Sequence, residues 1–186
     1  CDLNAVYYQI DACLPGGWVP IAASLSGTTY NNTAWSVPGF AGLPDGSYCI
    51  RFKVTDDGGR GNADSCSYTW CFTKDTQSPA PPTNLVATPG HNKVNLTWTN
   101  ASSDYNHTVV MRTDWYAAGH GYPEYDDSYT EGPYPISLLT GVQVYTGTGS
   151  TQIDVSGLSN ATRDVYHYAA FTVDNAGNVS AASTGA

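Results

Sequence analysis

Two β-sandwiches in tandem are the fold that the sequence predicts, and three observations predict it. No stretch carries helical periodicity of useful length. Period-two alternation recurs instead, bounded by Gly, Pro, Asn and Asp. A proline-rich segment, Lys74 to Thr83, divides the chain. Only 12% of the 186 residues are charged, so Ser, Thr, Asn, Gly and Tyr must supply the polar surface. That is the make-up of all-β modules, with hydroxylated and aromatic residues in strands and Gly, Asn and Pro in turns. The expected division is a first module at 1–76, a Pro-rich linker at 77–83 and a second module at 84–186.

In the first module, Leu43-Pro44-Asp45-Gly46-Ser47 leads into a strand that places Tyr48, Ile50, Phe52 and Val54 on an inward face. Cys49, Arg51 and Lys53 fall on the other face. The turn Asp56 to Asn62 is glycine-rich. After it a second strand places Tyr68, Trp70 and Phe72 inward, with Ser67, Thr69 and Cys71 outward. A hairpin centred near Arg60 pairs residues whose numbers sum to about 120. Cys49 and Cys71 satisfy that sum on one face, so a cross-strand disulfide is expected between them. All five cysteines lie within the first 71 residues, with no CxxC pair and no closely spaced His. This spacing disfavours zinc and favours disulfides in an oxidising compartment. Cys13–Cys66 is the expected second bridge. Cys1 has no internal partner, as a lipid-modified residue or the first residue of a fragment would.

In the second module, Val94, Leu96 and Trp98 alternate inward after the turn Pro89-Gly90-His91-Asn92. Val109 to Arg112, Val142 to Tyr145, Gln152 to Val155 and Asp164 to Val173 read as further strands. A long excursion, 114–140, interrupts them.

The second module resembles a fibronectin type III domain. Pro82, Leu85 and Val94-x-Leu96-x-Trp98 carry the resemblance, with Leu158 and Tyr166 where a tyrosine corner would stand. The ending Asp174-x-Ala176-Gly177-Asn178-x-Ser180 is similar to that of bacterial members. The first module looks like a bacterial immunoglobulin-like repeat, on Trp35, Leu43-x-x-Gly46-x-Tyr48 and the Asp56/Gly61-Asn62 turn. Such repeats usually carry a strand or two before the segment matching Ala5 to Ile10. The resemblance therefore implies an edge strand that a longer chain or another copy supplies. The resemblances specify fold rather than function.

The formal net charge is −9, with seven Lys and Arg against sixteen Asp and Glu. Such a surface repels phosphate backbones, and no apolar run approaches a membrane span, so neither nucleic-acid binding nor membrane insertion is expected. The excursion holds Trp115, Tyr116, Tyr122, Tyr125, Tyr129 and Tyr134 among carboxylates, with no Lys or Arg. These rings suit a protein contact, sugar stacking, or cover for the module's own sheet. Asp56, Asp57, Asp64, Asp75, Asp126 and Asp127 offer oxygen ligands suited to calcium, but no D-x-D-x-D loop organises them, so no cofactor is expected. His91, His107, His120 and His167 are scattered, and His167 alternates out of the presumed core face. No GxSxG, HExxH or Cys–His signature occurs, so an enzyme is not expected. Six N-x-S/T sequons occur. Asn31, Asn100, Asn106 and Asn160 are the candidates for glycosylation, while Asn95 lies in a core strand and Asn178 in the closing turn.

The expectation is a non-catalytic structural or adhesive module of a secreted surface protein, with neighbouring domains or copies of itself as partners, and a fibre subunit joined by strand addition is one form it can take. The alternative is a carbohydrate-binding accessory module of a secreted hydrolase, with glycans as partners.

Overall fold

A computed structural model describes residues 3–10, 17–20, 25–26, 29–30, 39–56, 69–114, 134–158 and 165–184. The chain is all-β, with every sheet antiparallel. Among the described residues no helix is long and apolar enough to cross a membrane. The chain divides into two compact units, Cys1–Asp75 and Thr76–Ala186.

The first unit is built on a sheet of order β2-β1-β5-β6, from β1 (Leu3–Ile10), β2 (Val19–Pro20), β5 (Gly46–Asp56) and β6 (Thr69–Lys74). A short hairpin, β3 (Leu25–Ser26) and β4 (Thr29–Tyr30), completes the described strands. The β5–β6 register runs from Gly46↔Lys74 through Cys49↔Cys71 to Arg51↔Thr69. Cys49 and Cys71 are joined by a disulfide, their Cα atoms 4.0 Å apart. Alternation places Val6, Tyr8 and Ile50 in one buried cluster, with Ile10, Val54 and Phe72 packed against it.

Two inward assignments need correction, Trp70 on β6 and Phe52 on β5. Trp70 shares a sheet face with Phe72 but is 66% exposed, and Phe52 is 37% exposed. β6 is the outer strand of the four, so a side chain there has sheet on only one side. Alternation selects the face, whereas burial also requires neighbours on both sides.

In the second unit two sheets enclose a core. One has order β11-β8-β7, from β7 (Thr83–Gly90), β8 (Lys93–Thr99) and β11 (Thr151–Asp154). The other has order β10-β9-β12-β13, from β9 (His107–Asp114), β10 (Val142–Gly147), β12 (Tyr166–Val173) and β13 (Ser183–Thr184). Leu85, Val94, Leu96 and Trp98 from the first sheet meet Val110, Tyr168 and Ala170 from the second. The β7–β8 hairpin closes at His91-Asn92, where Asn92 takes the left-handed φ of 54° that Asn tolerates. Gly141 opens β10 at φ 85°, and a Cβ there would lie 2.1 Å from the Arg112 carbonyl oxygen, so only glycine fits.

The sheet containing β12 is covered on both faces. Its far face buries Val109, Met111, Ala169, Phe171 and Val173 beneath Leu138, Val179 and Ala182. His167 lies on that face, away from the Tyr168–Ala170 core as its alternation predicts, and is nonetheless only 4% exposed. The reason is a second covering layer, which includes the arm of the excursion that returns to β10. Two-sided cover also explains why Tyr166–Val173 shows no clean alternation.

Candidate functional site

The chemistry-bearing side chains of the second unit converge on the space between its two sheets. Arg112 on β9 is 4% exposed and Asp154 on β11 is 2% exposed. The Arg112 Nη1 donates to Asp154 Oδ2 at 2.8 Å and to the Ser156 carbonyl at 2.7 Å, and its Nε donates to Asp114 Oδ1 at 3.2 Å. The Tyr168 hydroxyl on β12 donates to the same Asp154 Oδ2 at 2.9 Å. Asp154 Oδ1 accepts from the Ser156 amide at 3.1 Å and its hydroxyl at 3.0 Å. The guanidinium also lies 5.0 Å from the Tyr166 ring centroid. One carboxylate of the first sheet is therefore held by two side chains of the second. Leu158 and Tyr166, the residues of the expected corner, both pack on the same core.

Burial by itself would raise the Asp154 carboxyl. The bonds from Arg112, the Ser156 amide, Tyr168 and the Ser156 hydroxyl outweigh it and hold the group below its ordinary value of 3.8. Burial, and then the carboxylate its proton serves, push Tyr168 above its ordinary value of 10.

The closing turn has its own carboxylate. Asp174 Oδ1 accepts from the Ala176 and Asn178 amides, both at 2.8 Å, and Oδ2 accepts from Asn178 Nδ2 at 2.8 Å. Gly177 sits between them at φ 93°. The sequence Asp-x-Ala-Gly-Asn is thus an internally bonded turn. Burial pulls Asp174 upward, but these bonds pull harder and leave it below the ordinary carboxylate value.

Both carboxylates have folded values below their unfolded ones. Their stabilisation is complete above the ordinary value of 3.8 and is lost as pH falls through the lower folded values. The melting temperature of the second unit is expected to stay level from neutral pH to about 5 and to drop below about 4. A pH series of calorimetric melts checks this, and a fall already complete at pH 5 would contradict it.

Asn100 is a further hub. Its Oδ1 accepts from Trp98 Nε1 at 2.7 Å and from the Thr108 hydroxyl at 2.8 Å. Its Nδ2 donates to the carbonyls of Thr148 at 3.0 Å and Gly149 at 3.2 Å. A sugar on Asn100 would replace one of those two amide hydrogens. Mass spectrometry of the protein from its native source is therefore expected to find Asn100 unmodified. Asn100→Ala leaves the Trp98 indole N–H and the Thr108 hydroxyl without their acceptor and should cost about 2 kcal/mol by chemical denaturation. Asn106 is exposed, with a long 3.4 Å bond to the Asp174 carbonyl.

On the first unit, an aromatic row crosses β5 and β6. Tyr48 and Phe72 are register partners with ring centroids 5.8 Å apart. Trp70 lies 6.1 Å from Phe72 on one side and Phe40, which is 40% exposed, lies 5.5 Å from it on the other. Lys74 fixes Phe40 in place, because its ammonium donates to the carbonyls of Phe40, Ala41 and Leu43 and stands 5.4 Å from the Phe40 ring centroid. The Tyr48 hydroxyl donates to the Pro44 carbonyl at 2.8 Å.

The structure brings Cys49 and Cys71 together. Of the excursion's aromatics, Tyr134 is described, and its ring meets His167 edge-on at 4.7 Å, on the far face of the sheet. Trp115, Tyr116, Tyr122, Tyr125 and Tyr129 lie outside the described residues, as do Cys1, Cys13, Cys66, Asn31, Asn160, Asp57, Asp64, Asp126, Asp127 and His120. His91 is exposed in its turn and His107 begins β9. Neither the Arg112–Asp154–Tyr168 clasp nor the Phe40–Trp70 row was expected from the sequence. A signal for the first existed, since Arg112 and Asp154 are charges embedded in apolar strands of a chain with only seven cations.

No protein-family model matches the chain, and no curated protein matches it.

Proposed function

We propose that the chain is a mechanical module of an extracellular surface protein, without catalytic activity, in which two β-sandwich domains of immunoglobulin-like and fibronectin type III-like design carry load. The observation that carries this reading is the clasp between the two sheets of the second unit. Arg112, Asp154 and Tyr168 direct their charges and hydroxyl at one another across the core. Asp174 and Asn100 likewise turn their polar atoms on their own fold. Groups so engaged resist separation of the sheets and leave no ionised side chain of that set presented to a substrate. The Cys49–Cys71 bridge suits an oxidising compartment.

Assembly of copies into a fibre fits the same reading. β6 is an outer strand of its sheet with the large exposed Trp70 on it, a geometry that strand addition can use. Electron microscopy of material isolated from its native source, paired with light scattering, tests this. Filaments with a regular subunit repeat are the expected result, and a monodisperse monomer would remove the assembly version.

The aromatic row favours a second reading, a carbohydrate-binding accessory module. Phe40, Phe72 and Trp70 offer adjacent rings on which the apolar faces of sugars can stack. Binding on a glycan array that Trp70→Ala abolishes would support it, and an array without a binder would dispose of it.

A further inference from the structure

The far face of the first unit's sheet, opposite the aromatic row, carries buried donors. Gln9 pairs with Arg51 across β1 and β5, and Tyr8 pairs with Val19 across β1 and β2. Trp18 immediately precedes Val19, so it continues the Gln9–Arg51 row just beyond the end of β2. The ammonium of Lys53, two residues along β5 on the same face, stands 5.8 Å from the Trp18 ring centroid, which places the indole on that face. Gln9 is only 6% exposed. Among the described residues, the Nε and Nη1 of Arg51 and the Nε1 of Trp18 are buried with no hydrogen-bond partner.

Three buried donor nitrogens from two side chains thus stand without acceptors among the described residues, and one of those side chains is a permanent cation. Each unsatisfied donor is costly, and Arg51, itself only partly buried, contributes two of them. The remedy has a definite chemistry. It must accept hydrogen bonds and carry negative charge. Water would satisfy the donors but leave the charge, and a second cation-rich surface would worsen it.

We propose that the Trp18–Gln9–Arg51 row is a binding site for one carboxylate group, with the guanidinium as its counter-ion and the indole N–H as a second donor. The carboxylate comes either from a small organic acid or from an Asp or Glu of a second copy of this chain, which is rich in both. The site stands independently of the mechanical reading and of the aromatic row on the opposite face.

Proton–nitrogen NMR of the whole chain in chloride buffer at neutral pH tests it, through the Arg51 Nε–H and Trp18 indole N–H resonances. Sodium acetate is expected to move both together and saturably, while sodium chloride at equal ionic strength leaves them in place. Arg51→Gln should abolish the acetate response of the Trp18 indole. If that variant does not fold, Trp18→Phe read at the Arg51 Nε–H serves instead, with a response several-fold weaker than in the native chain. Resonances that shift with protein concentration in the absence of acetate identify a second copy as the source and also support the site. Resonances indifferent to both acetate and protein concentration overturn it, and so does an indole that responds equally in Arg51→Gln.

Discussion

Asp154→Ala is expected to destabilise the second unit by about 3–5 kcal/mol, because it leaves the Arg112 guanidinium buried without its principal counter-charge. The Tyr168 hydroxyl loses its acceptor in the same step. Asp114 does not replace Asp154. It meets only the Arg112 Nε, at 3.2 Å, and its side chain is 49% exposed. Tyr168→Phe removes one donor while leaving the ion pair, and should cost about 1 kcal/mol. The combination Arg112→Met, Asp154→Leu and Tyr168→Phe removes the polar groups together. It should recover most of the loss, since an apolar set of similar volume carries no desolvation penalty. Urea unfolding of the four proteins measures these differences. Additive losses across the set would mean that the three residues do not act as one clasp.

Loss of the Cys49–Cys71 bridge should lower the stability of the first unit by roughly 3 kcal/mol, the chain-entropy figure for a loop of this size. The closed loop spans 22 residues of sequence separation. The bridge joins two residues already opposed in the β5–β6 ladder, and β5 is also paired along its length with β1. The register should therefore survive in Cys49→Ser/Cys71→Ser. Calorimetry of this variant should show a lower first-unit transition and an unchanged second-unit transition. An unchanged first-unit transition would show that the bridge adds nothing to the ladder around it.

The two features behind these predictions differed in how far the sequence revealed them. The β5–β6 register was legible because both strands alternate cleanly on either side of one glycine-rich turn, so a centre near Arg60 determines every opposed pair, Cys49 and Cys71 among them. Hairpin pairing is local, and period two carries it. The clasp was not legible. Arg112 and Asp154 lie on different sheets, and which residues face each other across a core depends on sheet packing, which no one-dimensional period encodes. The exposure of Trp70 was misread for a related reason, since alternation assigns a face but not the number of neighbouring strands. β12 hid its two-sided burial behind Ala169 and Ala170, small residues that fit either face. The closing Asp174–Asn178 turn was legible as a pattern, and the structure supplies its cause in the bonds that Asp174 accepts from Ala176 and Asn178.

The central claim is that the polar interior of the second unit resists force. Single-molecule extension of the chain by its two ends tests it most directly, comparing the native protein with the variant Arg112→Met/Asp154→Leu/Tyr168→Phe. Short directional bonds between sheets yield only when the sheets part, whereas apolar contacts slide. The variant, though nearly as stable in urea, should therefore unfold its second unit at a clearly lower force. Equal unfolding forces in the two proteins would contradict the claim and leave the clasp a device of folding alone.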